Sequence, residues 1–248
     1  MKTGYALDVK SRKSSRAALL PAKLTAEAAG TFFITLVPTV VDIGFFTGHG
    51  VDFVSRWLAR GFIATAMIYA LSGVSGAHLD PAVSLAFAVR RVLEPPLLAA
   101  YVTAQFGGAF AAAALAYAIW GPAVALGASH PGPEISPALA FVTEIVLTLL
   151  LVLVILATAE EEVKVGKQAA VAVGLTICAA GFSGGWVSGA SMNPARSIAP
   201  QILGGSYGLV WIYAAGPCLG AILAALLAPL IFGPPNEGER KAAKGEGA

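Results

Sequence analysis

The sequence predicts an all-α membrane protein with six transmembrane helices and two re-entrant half-helices arranged as an inverted repeat. Three observations lead there. The 248 residues are 57% hydrophobic and only 12% charged, where a soluble domain carries about a quarter charged residues. Six apolar stretches reach the roughly 20 residues that span a hydrocarbon core of about 30 Å. Two segments 113 residues apart also nearly repeat each other: Ser75-Gly76-Ala77-His78-Leu79-Asp80-Pro81-Ala82-Val83-Ser84 and Ser188-Gly189-Ala190-Ser191-Met192-Asn193-Pro194-Ala195-Arg196-Ser197.

The spans are expected at about 24–41, 57–74, 97–120, 137–157, 168–185 and 209–232. In each repeated segment an Asp or Asn precedes a Pro. A side-chain oxygen there caps the first free amides, and Pro at the first helical position has no N–H to satisfy. Helices are therefore expected to begin at Pro81 and Pro194. The short apolar runs that follow, Pro81–Val89 and Pro194–Leu203, cover roughly 15 Å each as helices. That is half a bilayer, so two of them entering from opposite faces meet near the midplane.

The two halves correspond beyond these segments. Glu27 and Thr31 match Glu144 and Thr148, while Tyr101, Gly108 and Ala109 match Tyr213, Gly220 and Ala221 at a spacing of 112. Three crossings plus a half-span reverse the chain, so the second copy must be inverted. Residues 24–120 form the first repeat and 137–232 the second. Residues 1–23 and 233–248 read as polar, disordered tails. No cleavable signal peptide is apparent.

Charge placement sets the expected orientation. Thirteen of the 16 Lys and Arg fall on one face: Lys2, Lys10, Arg12, Lys13, Arg16, Lys23, Arg90, Arg91, Lys164, Lys167, Arg240, Lys241 and Lys244. Only Arg56, Arg60 and Arg196 fall on the other. Positive loops stay inside, which puts both termini in the cytoplasm of a multi-pass cell-membrane protein. Cys178 and Cys218 lie in apolar segments and read as buried small hydrophobes. No phosphate-binding glycine loop, metal-spaced His/Cys set or nucleophile triad appears. The expectation is therefore no catalysis, no cofactor, no metal and no nucleic-acid partner. Glu160-Glu161-Glu162 reads as a solvated charge run.

Six spans, the inverted repeat and an Asn-Pro-Ala-like segment in each half resemble the aquaporin, or major intrinsic protein, family. The likeness covers residues 24–232. Gly189-Ala190-Ser191-Met192-Asn193-Pro194-Ala195-Arg196-Ser197 is similar to the family's second signature. The first signature departs from the family at Asp80. The resemblance implies a homotetramer with one pore per protomer, passing water or small uncharged solutes. It implies pore-motif roles for Asp80, Pro81, Ala82, Asn193, Pro194 and Ala195. It also implies a selectivity filter of Arg60, Gly181, Ala190 and Arg196, with Glu27, Glu144 and His78 bracing the loops.

The residue chemistry gives these roles content. Two helix N-termini place partial positive charge at the midplane and repel cations. An Asn cap offers an N–H donor to a passing oxygen; an ionised Asp offers none. Asp80 can simply cap its helix, be protonated and imitate the missing donor, or keep its charge and weaken proton exclusion. Arg60 stands where an aromatic is common in the family. With small Gly181 and Ala190, two arginines imply a wide filter for oxygen-rich solutes such as polyols, arsenous acid or boric acid. Alternatively Arg60 snorkels outward beside Arg56. A proton-coupled transporter or channel for a small weak acid, titrating at Asp80, is the alternative function, and a junction protein with a vestigial pore is a third.

Overall fold

The computed structural model describes residues 20–160 and 168–246. Six long helices cross the molecule: α1 Leu20–Phe46, α2 Phe53–Ser75, α4 Pro95–Trp120, α5 Pro137–Glu160, α6 Ala169–Ser188 and α8 Val210–Phe232. Two short helices, α3 Pro81–Val89 and α7 Pro194–Leu203, have the expected bounds. A 3₁₀ segment, Gly121–Gly127, follows α4. The six long helices are apolar enough to span a bilayer. Among the described residues there is no strand.

Several helix ends have a local cause. Asp52 caps α2 by accepting a hydrogen bond from Ser55 N at 2.7 Å. That bond holds the exposed Asp52 carboxyl below its ordinary pKa. Asp80 and Asn193 cap α3 and α7, with Pro at the first turn of both. Helices α2 and α6 both stop at a left-handed glycine, Gly76 at φ 92° and Gly189 at φ 81°; there an L side chain would be strained.

Packing repeats with the sequence. A Cβ at Gly108 would strike the Ala28 carbonyl oxygen, and one at Gly220 would strike that of Ile145. These two glycines bring α4 against α1 and α8 against α5 at backbone distance, the close approach that lipid-embedded helices use. Outward faces carry large apolar side chains. Leu230 is 83% exposed and Phe62 63% exposed, as expected for surfaces whose solvent is lipid.

The expected disordered tail after Gly233 is a correction. Asn236 Oδ1 accepts from Glu239 N at 2.9 Å and starts a further helix, α9 Glu237–Lys244. Glu239 receives Arg90 Nε at 2.9 Å and Nη2 at 2.6 Å, and both side chains are buried. Ala243 is buried in the cluster formed by α3, α5 and α8, with Val83, Phe87 and Leu156 among its members. The ion pair and that seat hold a segment too polar and short to form a helix alone. At the other end α1 begins at Leu20, so Lys23 belongs to a helix. Its ammonium is buried and donates to Lys244 O at 2.7 Å. Lys2, Lys10, Arg12, Lys13, Arg16, Glu161, Glu162, Lys164 and Lys167 lie outside the described residues.

Candidate pore

The loops before the half-helices are held by the same pattern twice. Glu27 accepts from Ser75 Oγ at 2.6 Å, His78 N at 3.0 Å and Leu79 N at 2.7 Å. Glu144 accepts from Ser188 Oγ at 2.7 Å, Ser191 N at 2.9 Å and Met192 N at 2.8 Å. Tyr101 Oη donates to Ser75 O and Tyr213 Oη to Ser188 O, both at 2.7 Å. These bonds satisfy amides that have no water to turn to at membrane depth. They also hold Ala77, Leu79, Ala190 and Met192 at positive φ, which is costly for residues with a Cβ. One bond breaks the symmetry: Gln105 Nε2 donates to Glu27 at 2.7 Å, where the second repeat has Pro217.

The half-helix tips meet, and they differ. Asn193 Oδ1 caps α7 by accepting from Arg196 N at 3.1 Å. Its Nδ2 crosses to Leu79 O at 2.9 Å. Asp80 Oδ1 accepts from Ala82 N at 2.7 Å. By the repeat, the partner of an amide at residue 80 would be Met192 O, to which Asp80 makes no hydrogen bond in this structure. Asp80→Asn should therefore add the reciprocal tie and raise stability by about 1 kcal/mol. Thermal unfolding in detergent checks this; an unchanged or lower midpoint would count against it. His78 Nδ1 shares a hydrogen bond with Ser84 Oγ at 3.0 Å, and its ring stacks on Phe87.

A cavity of about 470 Å³ runs from the face that carries the described ends of the chain to the tips. Its lining includes Ala242 of α9, His78, Asp80, Asn193, Ala190, Arg60 and Arg196. A second cavity of about 220 Å³ lies on the opposite face, lined in part by Asp42, Arg56, Arg60, Ser129 and Gly189. Arg60 borders both. It is buried and donates to Asp42 Oδ2 and, at 3.2 Å, to Gly189 O. Snorkelling outward is thus overturned, and Arg56 is buried with it. Arg196 donates to Ser129 Oγ and, at 3.2 Å, to the same Asp42 Oδ2.

Two further features depart from expectation. The space expected at Gly181 is taken: a Cβ there, or at Gly185, would collide with the indole of Trp57. Trp57 is fully buried, with the Arg60 guanidinium 4.0 Å above its ring centroid. An aromatic platform therefore backs the arginine, although residue 60 itself is not aromatic. Asp42 is the residue that sequence reasoning missed. It lies one position beyond the expected end of the first span and has no acidic counterpart in the second repeat.

The family model described as Major intrinsic protein matches residues 13–228. The chain belongs to this family. Aquaporin NIP1-3 of Oryza sativa subsp. japonica is 36% identical over 206 residues, covering 82% of this chain and 71% of that protein. Aquaporin NIP2-1 of Zea mays is 38% identical over 204 residues, covering 81% and 68%. The crystal structure of an aquaglyceroporin from Plasmodium falciparum superposes with a TM-score of 0.78 at 24% identity, over 87% of this chain and 98% of that one; it shows the fold. This major intrinsic protein is a multi-pass membrane channel and not an enzyme. Its capping geometry gives the channel two helix N-termini facing one region of the path. Each such N-terminus carries partial positive charge.

Proposed function

We propose that this channel passes water and small uncharged oxygen-rich solutes: glycerol and other polyols, and metalloid hydroxides such as arsenous and boric acid. One observation carries the choice. Arg60 and Arg196 both line the larger cavity beside Ala190, so a solute passing there meets several N–H donors and little bulk. Donor-rich walls replace the hydrogen bonds that a hydroxylated solute loses on leaving water. In this reading Arg60, Ala190 and Arg196 are the filter, with Trp57 closing the wall behind Gly181. Asp80, Pro81, Ala82, Asn193, Pro194 and Ala195 form the pore centre. Glu27, Glu144 and His78 brace the loops. Family membership supports a homotetramer, and the placement of Lys and Arg supports cytoplasmic termini.

Stopped-flow light scattering on proteoliposomes with water, glycerol, urea, boric acid and arsenite tests the reading. Arg60→Ala should change the ratio of solute to water permeability several-fold. Unchanged permeability to water, glycerol and arsenite would remove Arg60 from the filter. Solute accumulation against a gradient, collapsed by an uncoupler, would favour the weak-acid transporter instead; equilibration alone excludes it.

A further inference from the structure

Three cations converge on one anion at the junction of the two cavities. Asp42 Oδ1 accepts from Arg56 Nε at 2.9 Å. Its Oδ2 is shared by Arg60 Nη2 and Arg196 Nη2. Among the described residues no other carboxylate lies within ion-pair distance of these guanidiniums. Their remaining partners are neutral: Ser129 Oγ and the carbonyl oxygens of Gly127 and Gly189. The cluster keeps a net positive charge in a buried setting.

Two guanidinium forks that meet at one point match a planar oxyanion, because each presents parallel N–H donors at carboxylate spacing. Here the chain supplies that oxyanion itself. The Asp42 side chain is 3% exposed and is tethered to α1, in the lining of the smaller cavity and outside that of the larger one. We propose that Asp42 sets the charge selectivity of this channel. As a tethered carboxylate it occupies the anion site between Arg60 and Arg196, so that free oxyanions do not lodge there and uncharged hydroxyl-bearing solutes pass. The proposal rests on the reading that Arg60 and Arg196 border the solute path.

Removing a unit charge a few ångströms from a fixed cation changes local anion occupancy by about tenfold or more, even at surface-like screening. In Asp42→Asn proteoliposomes, the sodium nitrate or formate concentration that halves glycerol flux should therefore fall by about tenfold or more, into the millimolar range. Wild-type flux should be unaffected by either anion. Asp42→Glu should stay insensitive, whereas the double variant Asp42→Asn with Arg60→Gln, which lacks one fork, should lose the block.

Three results would overturn the proposal: Asp42→Asn flux as insensitive as wild type, Asp42→Glu as sensitive as Asp42→Asn, or an undiminished block in the double variant. Wild-type protein blocked by nitrate or formate in the same range would overturn it as well, and that measurement needs no variant to fold. The failures are distinguishable. An Arg60→Ala protein with unchanged permeabilities sinks the filter reading. Altered permeability in Arg60→Ala, with anion-insensitive Asp42→Asn, sinks only the role of Asp42.

Discussion

Replacing Glu27 with Ala is expected to abolish the folded channel, and Glu144→Ala to do nearly the same. Glu27 takes hydrogen bonds from Ser75, His78, Leu79 and Gln105; Glu144 takes them from Ser188, Ser191 and Met192. Each donor left buried without a partner costs about 1–3 kcal/mol. Four such losses approach the whole stability of a typical domain, about 5–15 kcal/mol. The loops they hold also contain the positive-φ residues, which would relax away from the path once released. The measurement is the yield of monodisperse protein in detergent and its unfolding midpoint. Glu27→Ala with wild-type yield and midpoint would contradict the account. Glu144→Ala should be slightly milder, because Pro217 stands where the first repeat has the fourth donor, Gln105.

The second large effect is expected at α9. Glu239→Ala removes the two charge-assisted hydrogen bonds that Arg90 makes to α9, each worth about 1.5–3 kcal/mol. Helix α9 has eight residues and no stability of its own, so it should leave its seat. Ala242 lines the larger cavity; its departure widens that end of the path. Two readouts should move together: trypsin cleavage at Arg240 or Lys241 accelerates, and solute flux per channel rises. Faster cleavage with unchanged flux would show that α9 does not narrow the path. The other ties are weaker. Lys244 Nζ to Glu94 Oε1 is 2.6 Å long but exposed. The hydrogen bond from Lys244 holds the Glu94 carboxyl below its ordinary pKa. This tie is therefore present above the normal carboxylate range and is lost as pH falls through the lowered value.

Much of this architecture is legible in the chain. The starts of α3 and α7 follow from Asp80-Pro81 and Asn193-Pro194, because capping is a matter of a few adjacent residues. The pairing of Glu27 with Glu144 follows from the repeat. Asp42 was not legible for two reasons. Helix α1 runs to Phe46, past the point where hydropathy falls, and residue 42 has no acidic repeat partner to flag it. Helix α9 was hidden because its anchor, Arg90, lies 149 residues from Glu239. Gly181 misled because a missing side chain leaves room only if no neighbour fills it, and Trp57 does.

By itself the sequence determined the spans, their inversion and the two opposed helix starts. Those depend on hydropathy over a bilayer's thickness and on caps a few residues long, both local properties. Only the tertiary structure decided which charges meet. Arg60 turns inward because Asp42 and Trp57 wait there on neighbouring turns of α1 and α2. The polar C-terminal segment is a helix because a buried arginine from another part of the chain requires its carboxylate. A buried charge takes its orientation from its nearest counter-charge, and that partner is set by which helices cross.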